Sequence, residues 1–159
     1  VLEKPRKQRI VTQTAKWSDI SGNLVEEEES GLRILLDTSE DEGVSKIIAQ
    51  HIRTKISGYA AQDRLKNLFS VNEFVNFQDV LDLFKTSELN CYYCKGKTMA
   101  LYEYVREPKQ WTLERLDNSK GHNRDNVVLA CLQCNLRRRT MASERYVKTK
   151  EMSKIVKMD

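Results

Sequence analysis

No stretch of this 159-residue chain approaches the ~20 consecutive apolar residues that a membrane-spanning helix needs, so no membrane partner is expected. An apolar signal segment is also lacking, and four cysteines are too few for a secreted scaffold held by disulfides. The expectation is an intracellular, reducing location, the cytoplasm or nucleus of a host. Histidine is scarce as well: His51 and His122 are the only two side chains whose ordinary pKa lies near neutrality. An initiator Met is missing, which suggests a fragment or a trimmed chain. The length suits one compact domain with an appendage and is enough to bury a core.

Charge is present in both signs but unevenly. Residues 1–90 carry 12 Lys and Arg against 15 Asp and Glu, residues 91–130 carry 7 against 5, and residues 131–159 carry 8 against 3. Positive charge therefore gathers around and after the last cysteines, as on a surface that meets a polyanion, although a solvated basic tail has the same pattern.

The cysteines form two pairs, Cys91-Tyr92-Tyr93-Cys94 and Cys131-Leu132-Gln133-Cys134, and Asn135 follows the second at once. Two intervening residues let a tight knuckle aim both sulfurs at one ion at roughly 2.3 Å, and two knuckles complete a tetrahedral zinc shell. Disulfides are the alternative, which a reduced compartment disfavours. The 36 residues between Cys94 and Cys131 exceed the about 15 to 20 of a simple zinc ribbon, so a substructure must be inserted there.

Along the chain, a basic arm over residues 4–9 precedes a possible strand over 9–20 and a second short strand over 31–37. Acidic runs at 26–29 and 37–42 read as solvated loops. Val44, Ile47, Ile48, Ile52, Ile56 and Tyr59 recur at intervals of three and four and predict an amphipathic helix, which Gly58 bends or ends. Gln62, Asp63, Arg64 and Lys66 read as its outer face in preference to contacts with a phosphate backbone, and His51 as a structural or surface residue. Asn76 with Asp79 three residues on predicts the start of a second helix. Within the insert, residues 98–105 and 111–116 predict two strands interrupted near Pro108. A loop rich in turn formers occupies 117–125, a short apolar run follows from Asn126, and a helix after Cys134 carries Arg137, Arg138 and Arg139.

The segment TLERLDNSKGHNRDNVVLACLQCN, residues 112–135, resembles the HNH endonucleases, the zinc-stapled members of the ββα-metal nucleases. The likeness covers about residues 89–142, while residues 44–90 resemble, more loosely, the helical lead-in of some phage and viral HNH proteins. It implies an α+β fold: an N-terminal arm and acidic appendage (1–43), a helical lead-in (44–90), a zinc-stabilised nuclease module (91–142) and a basic tail (143–159). It further implies hydrolysis of DNA phosphodiesters to 5′-phosphate and 3′-hydroxyl ends. Glu114 matches the family's acidic metal ligand, Asn135 its ligand on the helix, and Asn126 the asparagine that ties down the loop. Glu114 and Asn135 would hold Mg²⁺ or Mn²⁺, which suit hard oxygen donors, whereas the four-thiolate zinc has no open position and is structural. Taken singly, Glu114 is an ordinary strand carboxylate and Asn135 an ordinary helix N-cap.

At the family's general-base position, normally His, stands Arg115, which stays protonated and cannot accept a proton. Its guanidinium would instead clamp the scissile phosphate. The base is then His122 in the intervening loop, Asp117, or solvent, and Asp117 is also a candidate extra metal contact. Lys120, Arg124, Arg137, Arg138 and Arg139 are the expected contacts to the DNA backbone. Two rival readings remain: a zinc-dependent DNA-binding module that has lost catalysis, and a structural protein of a virus or mobile element whose acidic stretches recruit a partner.

Overall fold

The computed structural model describes residues 28–29, 31–33, 36, 43–102, 104–139, 141 and 143–157. The basic arm, the strand expected over 9–20 and the acidic stretch 37–42 lie outside the described residues. The fold is α+β. In chain order come helix α1 (Gly43–Leu65), helix α2 (Phe77–Ser87), strand β1 (Trp111–Arg115), strand β2 (Val127–Cys131), helix α3 (Leu132–Arg138) and helix α4 (Ser143–Lys157). Among the described residues no helix is long and apolar enough to cross a membrane.

Helix α1 runs unbroken through Gly58, where an added Cβ would meet nothing. Its stripe at Ile48 and Ile52 is fully buried, and His51 sits within the core, edge-on to the rings of Tyr102 and Trp111. Helix α2 starts as its sequence predicts. The Asn76 side chain accepts from Asp79 N–H and the Asp79 carboxylate accepts from Asn76 N–H, each at 2.9 Å, which satisfies two otherwise orphaned donors.

The sheet is one antiparallel pair, with Trp111 opposite Cys131 and Arg115 opposite Val127. Alternation along β1 sends Trp111 and Leu113 into the core, against Phe84 and the α1 stripe, and turns Thr112 and Glu114 to the other face. One apolar cluster joins Leu32, α1, α2 and both strands. A second lies under the cysteines, where Tyr93 meets Tyr146 of α4 edge-to-face, their ring centroids 4.9 Å apart.

Three expectations need correcting. Residues 31–33 and 36 are helical rather than a strand, and the four-residue interval from Leu32 to Leu36 puts both on the side packed against the core. Glu28, expected in a solvated acidic loop, is buried, where its carboxylate accepts from Leu101 N–H at 2.8 Å and desolvation raises its pKa. The described residues of 98–105 form no strand, only an isolated bridge from Met99 to Gln110. Their donors are spent on separate partners, Thr98 N–H on Leu89 O, Met99 N–H on Lys109 O and Leu101 N–H on Glu28, so no ladder can propagate.

Candidate functional site

The cysteines converge from two sides. Cys91 and Cys94 flank a tight turn in which Cys91 N–H donates to Gly96 O at 2.8 Å and Lys95, at φ 64°, donates to Cys91 O at 3.0 Å. Tyr92 N–H lashes this turn to Leu129 O of β2. Cys131 ends β2 and caps α3, its Sγ accepting from Cys134 N–H at 3.5 Å. The next N–H groups of α3, those of Leu132 and Gln133, donate to Gln110 O and Pro108 O. The helix therefore begins at Leu132, before Cys134.

All four thiols are free of disulfides, and their sulfurs lie within 4.8 Å of one another, Cys94 and Cys131 at 3.9 Å. A tetrahedron with metal–sulfur bonds of roughly 2.3 Å has edges of about 3.8 Å. The cluster could hold a metal ion such as zinc. Crowding splits its proton affinities: a hydrogen bond with Cys131 holds the Cys91 thiol below its ordinary range, the same contact pushes Cys131 up, and burial raises Cys134.

On the face of β1 away from the core opens a cleft of about 490 Å³, walled by β1, the start of the 117–125 loop, α3 and, across from them, α1. Glu114, Arg115, His122, Asn135 and Arg139 line it, with Lys55, Tyr59, Gln62 and Lys66 from α1. Glu114 is only 6% exposed, not the solvated strand carboxylate its sequence context allows. Its Oε1 accepts from Arg138 Nη1 at 2.9 Å, whereas its Oε2 is buried without a partner among the described residues. Burial raises its pKa to about 7 against the opposing pull of Arg138 and Arg115. A buried carboxylate oxygen with nothing to bond is costly unless a cation or donor meets it.

Asn135 sits inside α3 rather than at its N-cap. Its Nδ2 donates to Thr112 Oγ1 at 3.2 Å, and that hydroxyl spends its own proton on Ala130 O at 2.8 Å. The amide is thereby oriented with Oδ1 left as an acceptor. Thr112 and Glu114 share a face of β1, so Glu114 and the Asn135 amide tied to Thr112 line the same cleft.

Arg138, expected to touch DNA, is instead buried at 1% exposure. Besides Glu114, it donates from Nε to Met141 O, from Nη1 to Arg115 O and from Nη2 to Leu116 O. It rivets α3 to the end of β1. Removing one partner of such a buried pair costs about 3–5 kcal/mol, so Arg138→Ala should lower the thermal midpoint sharply, as read by calorimetry. Arg137→Ala should leave it nearly unchanged, because Arg137 is exposed.

Asn126 ties down the 117–125 loop: its Oδ1 accepts from Asp117 N–H, and its Nδ2 donates to Asp117 O and Gly121 O, all at 3.0 Å. Arg115 Nη1 donates to Asn118 O and Lys120 O, which makes its guanidinium a second tie on the same loop. Asp117 is solvent-exposed and outside the cleft lining, and hydrogen bonds from Ser119 hold its carboxyl below the usual range. Both facts make it a poor base. Lys120 and Arg139 are exposed, as is Arg124, whose guanidinium lies 3.6 Å from the Asp79 carboxylate.

His122 is buried at the cleft edge. Its ring lies against Tyr59 with centroids 4.5 Å apart, and its Nδ1 lies 2.7 Å from Asp63 Oδ1. Asp63 Oδ2 also accepts from His122 N–H at 2.7 Å. Desolvation lowers the histidine's pKa against the opposing pull of this carboxylate.

Asp63, read from sequence as outer face, is thus inside. Its approach requires Gly121, where a Cβ would fall 2.5 Å from Leu68 O and 2.7 Å from Asp63 Oδ2. Gly121→Ala should accordingly destabilise the fold by about 1–3 kcal/mol in urea unfolding. Sequence reasoning also missed Lys55, Tyr59 and Thr112 as site residues. For Tyr59 and Asp63 a signal existed, since Ile52, Ile56, Tyr59 and Asp63 continue one stripe at three- and four-residue intervals.

No family model, curated protein or solved structure matches the chain.

Proposed function

We propose that the chain is a metal-dependent endonuclease that hydrolyses DNA phosphodiester bonds in the cleft between β1, α3 and α1, with one structural zinc in the thiolate cluster. The carrying observation is the unpartnered, buried Oε2 of Glu114 in the same cleft as the oriented amide of Asn135. One carboxylate and one amide oxygen are the donors that Mg²⁺ or Mn²⁺ favours while keeping water and substrate oxygens in its shell. A divalent cation held there would supply positive charge to the phosphate as its bond breaks.

The chain's own groups account for the rest. His122, lining the cleft with a pKa lowered by burial, accepts the proton of the attacking water. Arg115 and Arg139, lining the cleft, face the phosphate. Lys66 adds positive charge from α1. Exposed Lys120, Arg124 and Arg137 extend the contact along the DNA backbone, where charge supplies most of the non-specific affinity.

Supercoiled plasmid incubated with the protein and Mg²⁺ or Mn²⁺ should pass to nicked or linear forms, and chelation with EDTA should stop it. Intact plasmid under all these conditions would reject the reading. Arg137→Ala combined with Arg139→Ala should weaken DNA binding and flatten its dependence on salt concentration by about one unit of log–log slope per lost phosphate contact. An unchanged slope would remove both arginines from the interface.

A second reading, a DNA-binding zinc module without catalysis, is favoured by Arg115 at the family's base position, where its guanidinium is engaged with loop carbonyls. It predicts binding without cutting, and the plasmid assay separates the two.

A further inference from the structure

Asp63 is a carboxylate at 1% exposure, reached from a helix 59 residues away in sequence, and it spends both oxygens on a single residue of the cleft. A structural pin needs only one of these bonds. The bond from His122 N–H to Oδ2 already fixes the loop backbone against α1, and Val75 N–H to His122 O and Arg124 N–H to Glu73 O fasten the same loop to the segment after α1. The bond to the imidazole adds no further anchorage of the chain. It has a chemical consequence instead.

A carboxylate only accepts hydrogen bonds, so Nδ1 must carry the proton, and the neutral ring then has its lone pair at Nε2. No donor among the described residues meets Nε2, and His122 lines the cleft. Tyr59 holds the ring plane from one side, its own hydroxyl accepting from Leu113 N–H at 3.0 Å. Ring position, ring plane and tautomer are therefore all set by α1.

We propose that Asp63 is the positioning residue of the proton-accepting His122, holding it as the Nδ1–H tautomer and stabilising the imidazolium that forms when Nε2 takes a proton from the attacking water. This rests on the nuclease reading above and extends it. The helical lead-in becomes part of the active site, because its Asp63 completes a carboxylate–imidazole pair that the 91–142 module does not contain. The balance is simple: water loses a proton to Nε2, its oxygen bonds to phosphorus, and the leaving oxygen departs with the ester bond's electron pair.

The charged groups that act on the ring are Asp63 and Lys66 from α1 and Arg115 from β1, and Lys55, Glu114 and Arg139 line the same cleft. Asp63 raises the imidazole pKa, while Lys66 and Arg115 lower it. Removing the Asp63 charge should therefore shift the acid limb of the pH–rate profile to lower pH, while the plateau falls by about 10²-fold.

The test uses the full chain loaded with zinc. Long-range ¹⁵N–¹H spectra, with only His51 and His122 to assign, should show His122 as the Nδ1–H tautomer in the wild type and a mixture in Asp63→Asn. Plasmid cleavage by Asp63→Asn should fall by about 10²-fold with DNA affinity and zinc content unchanged and cooperative melting retained, and its acid limb should move downward. A wild-type Nε2–H tautomer would overturn the proposal without recourse to any variant. So would wild-type rates and pH profile in Asp63→Asn when His122→Ala is inactive, which would leave Asp63 a pin. Full activity in His122→Ala would instead overturn the base assignment, and with it the role given to Asp63. A wild-type protein that leaves plasmid intact defeats the nuclease reading itself.

Discussion

Cys131→Ser should cost the protein its metal and the order of the whole 91–142 region together. Cys131 is the last residue of β2, the N-cap of α3 and one of four sulfurs within 4.8 Å. Zinc bound to such sites in small domains contributes about 10–16 kcal/mol of apparent folding free energy. A domain's total stability is about 5–15 kcal/mol, so if the proposed zinc sits in the cluster its loss should cost the region its order. Elemental analysis should give one zinc per wild-type chain and far less in the variant, with loss of near-ultraviolet dichroism. Gln133→Ala, which alters an exposed residue between the ligands, should retain both. A Cys131→Ser protein that melts with wild-type cooperativity would show that the sulfurs hold nothing essential.

The second large effect should come from Glu114 and Asn135, and here the fold should survive. Glu114→Gln keeps an oxygen for the Arg138 guanidinium but removes the charge offered by Oε2. It is a cleaner test than Glu114→Ala, which strands a buried arginine. Losing several kcal/mol of transition-state stabilisation corresponds to a rate decrease of about 10³-fold or more. Asn135→Ala should lose a similar factor, while Asn135→Asp, which keeps an oxygen in place, should retain part of the activity. Zinc content should match wild type in all three. Undiminished cleavage in Glu114→Gln or Asn135→Ala would remove the cation site from the cleft.

The cysteine cluster was legible in the sequence because metal ligation imposes a spacing that few other constraints produce. The start of α2 was legible for a similar reason, since Asn76 and Asp79 satisfy named backbone donors. Legibility failed where tertiary contacts chose among local options. Residues 98–105 have the composition of a strand, but three of their donors meet three separate acceptors. Arg138 is indistinguishable from Arg137 and Arg139 along the chain, and only the helical rotation, which turns it toward Glu114, separates a buried rivet from its exposed neighbours. Asp63 was misread because a charge at the end of an apolar stripe is normally a solvated terminus. Its burial depends on a loop 59 residues later that supplies two donors to it.

Helix α3 has seven residues, too few to persist alone in water. One end is a cysteine of the four-sulfur cluster acting as the helix cap, and the other is a guanidinium sunk among four acceptors. Asn135 lies between these two anchors, like the middle of a beam fixed at both abutments. The cysteine anchor stands outside the cleft lining and the guanidinium meets the cleft only through Glu114 Oε1, yet both fix where the Asn135 amide stands. If the proposed zinc is withheld, the Cys131 abutment should loosen, and affinity for the cation proposed at Glu114 and Asn135 should fall with it.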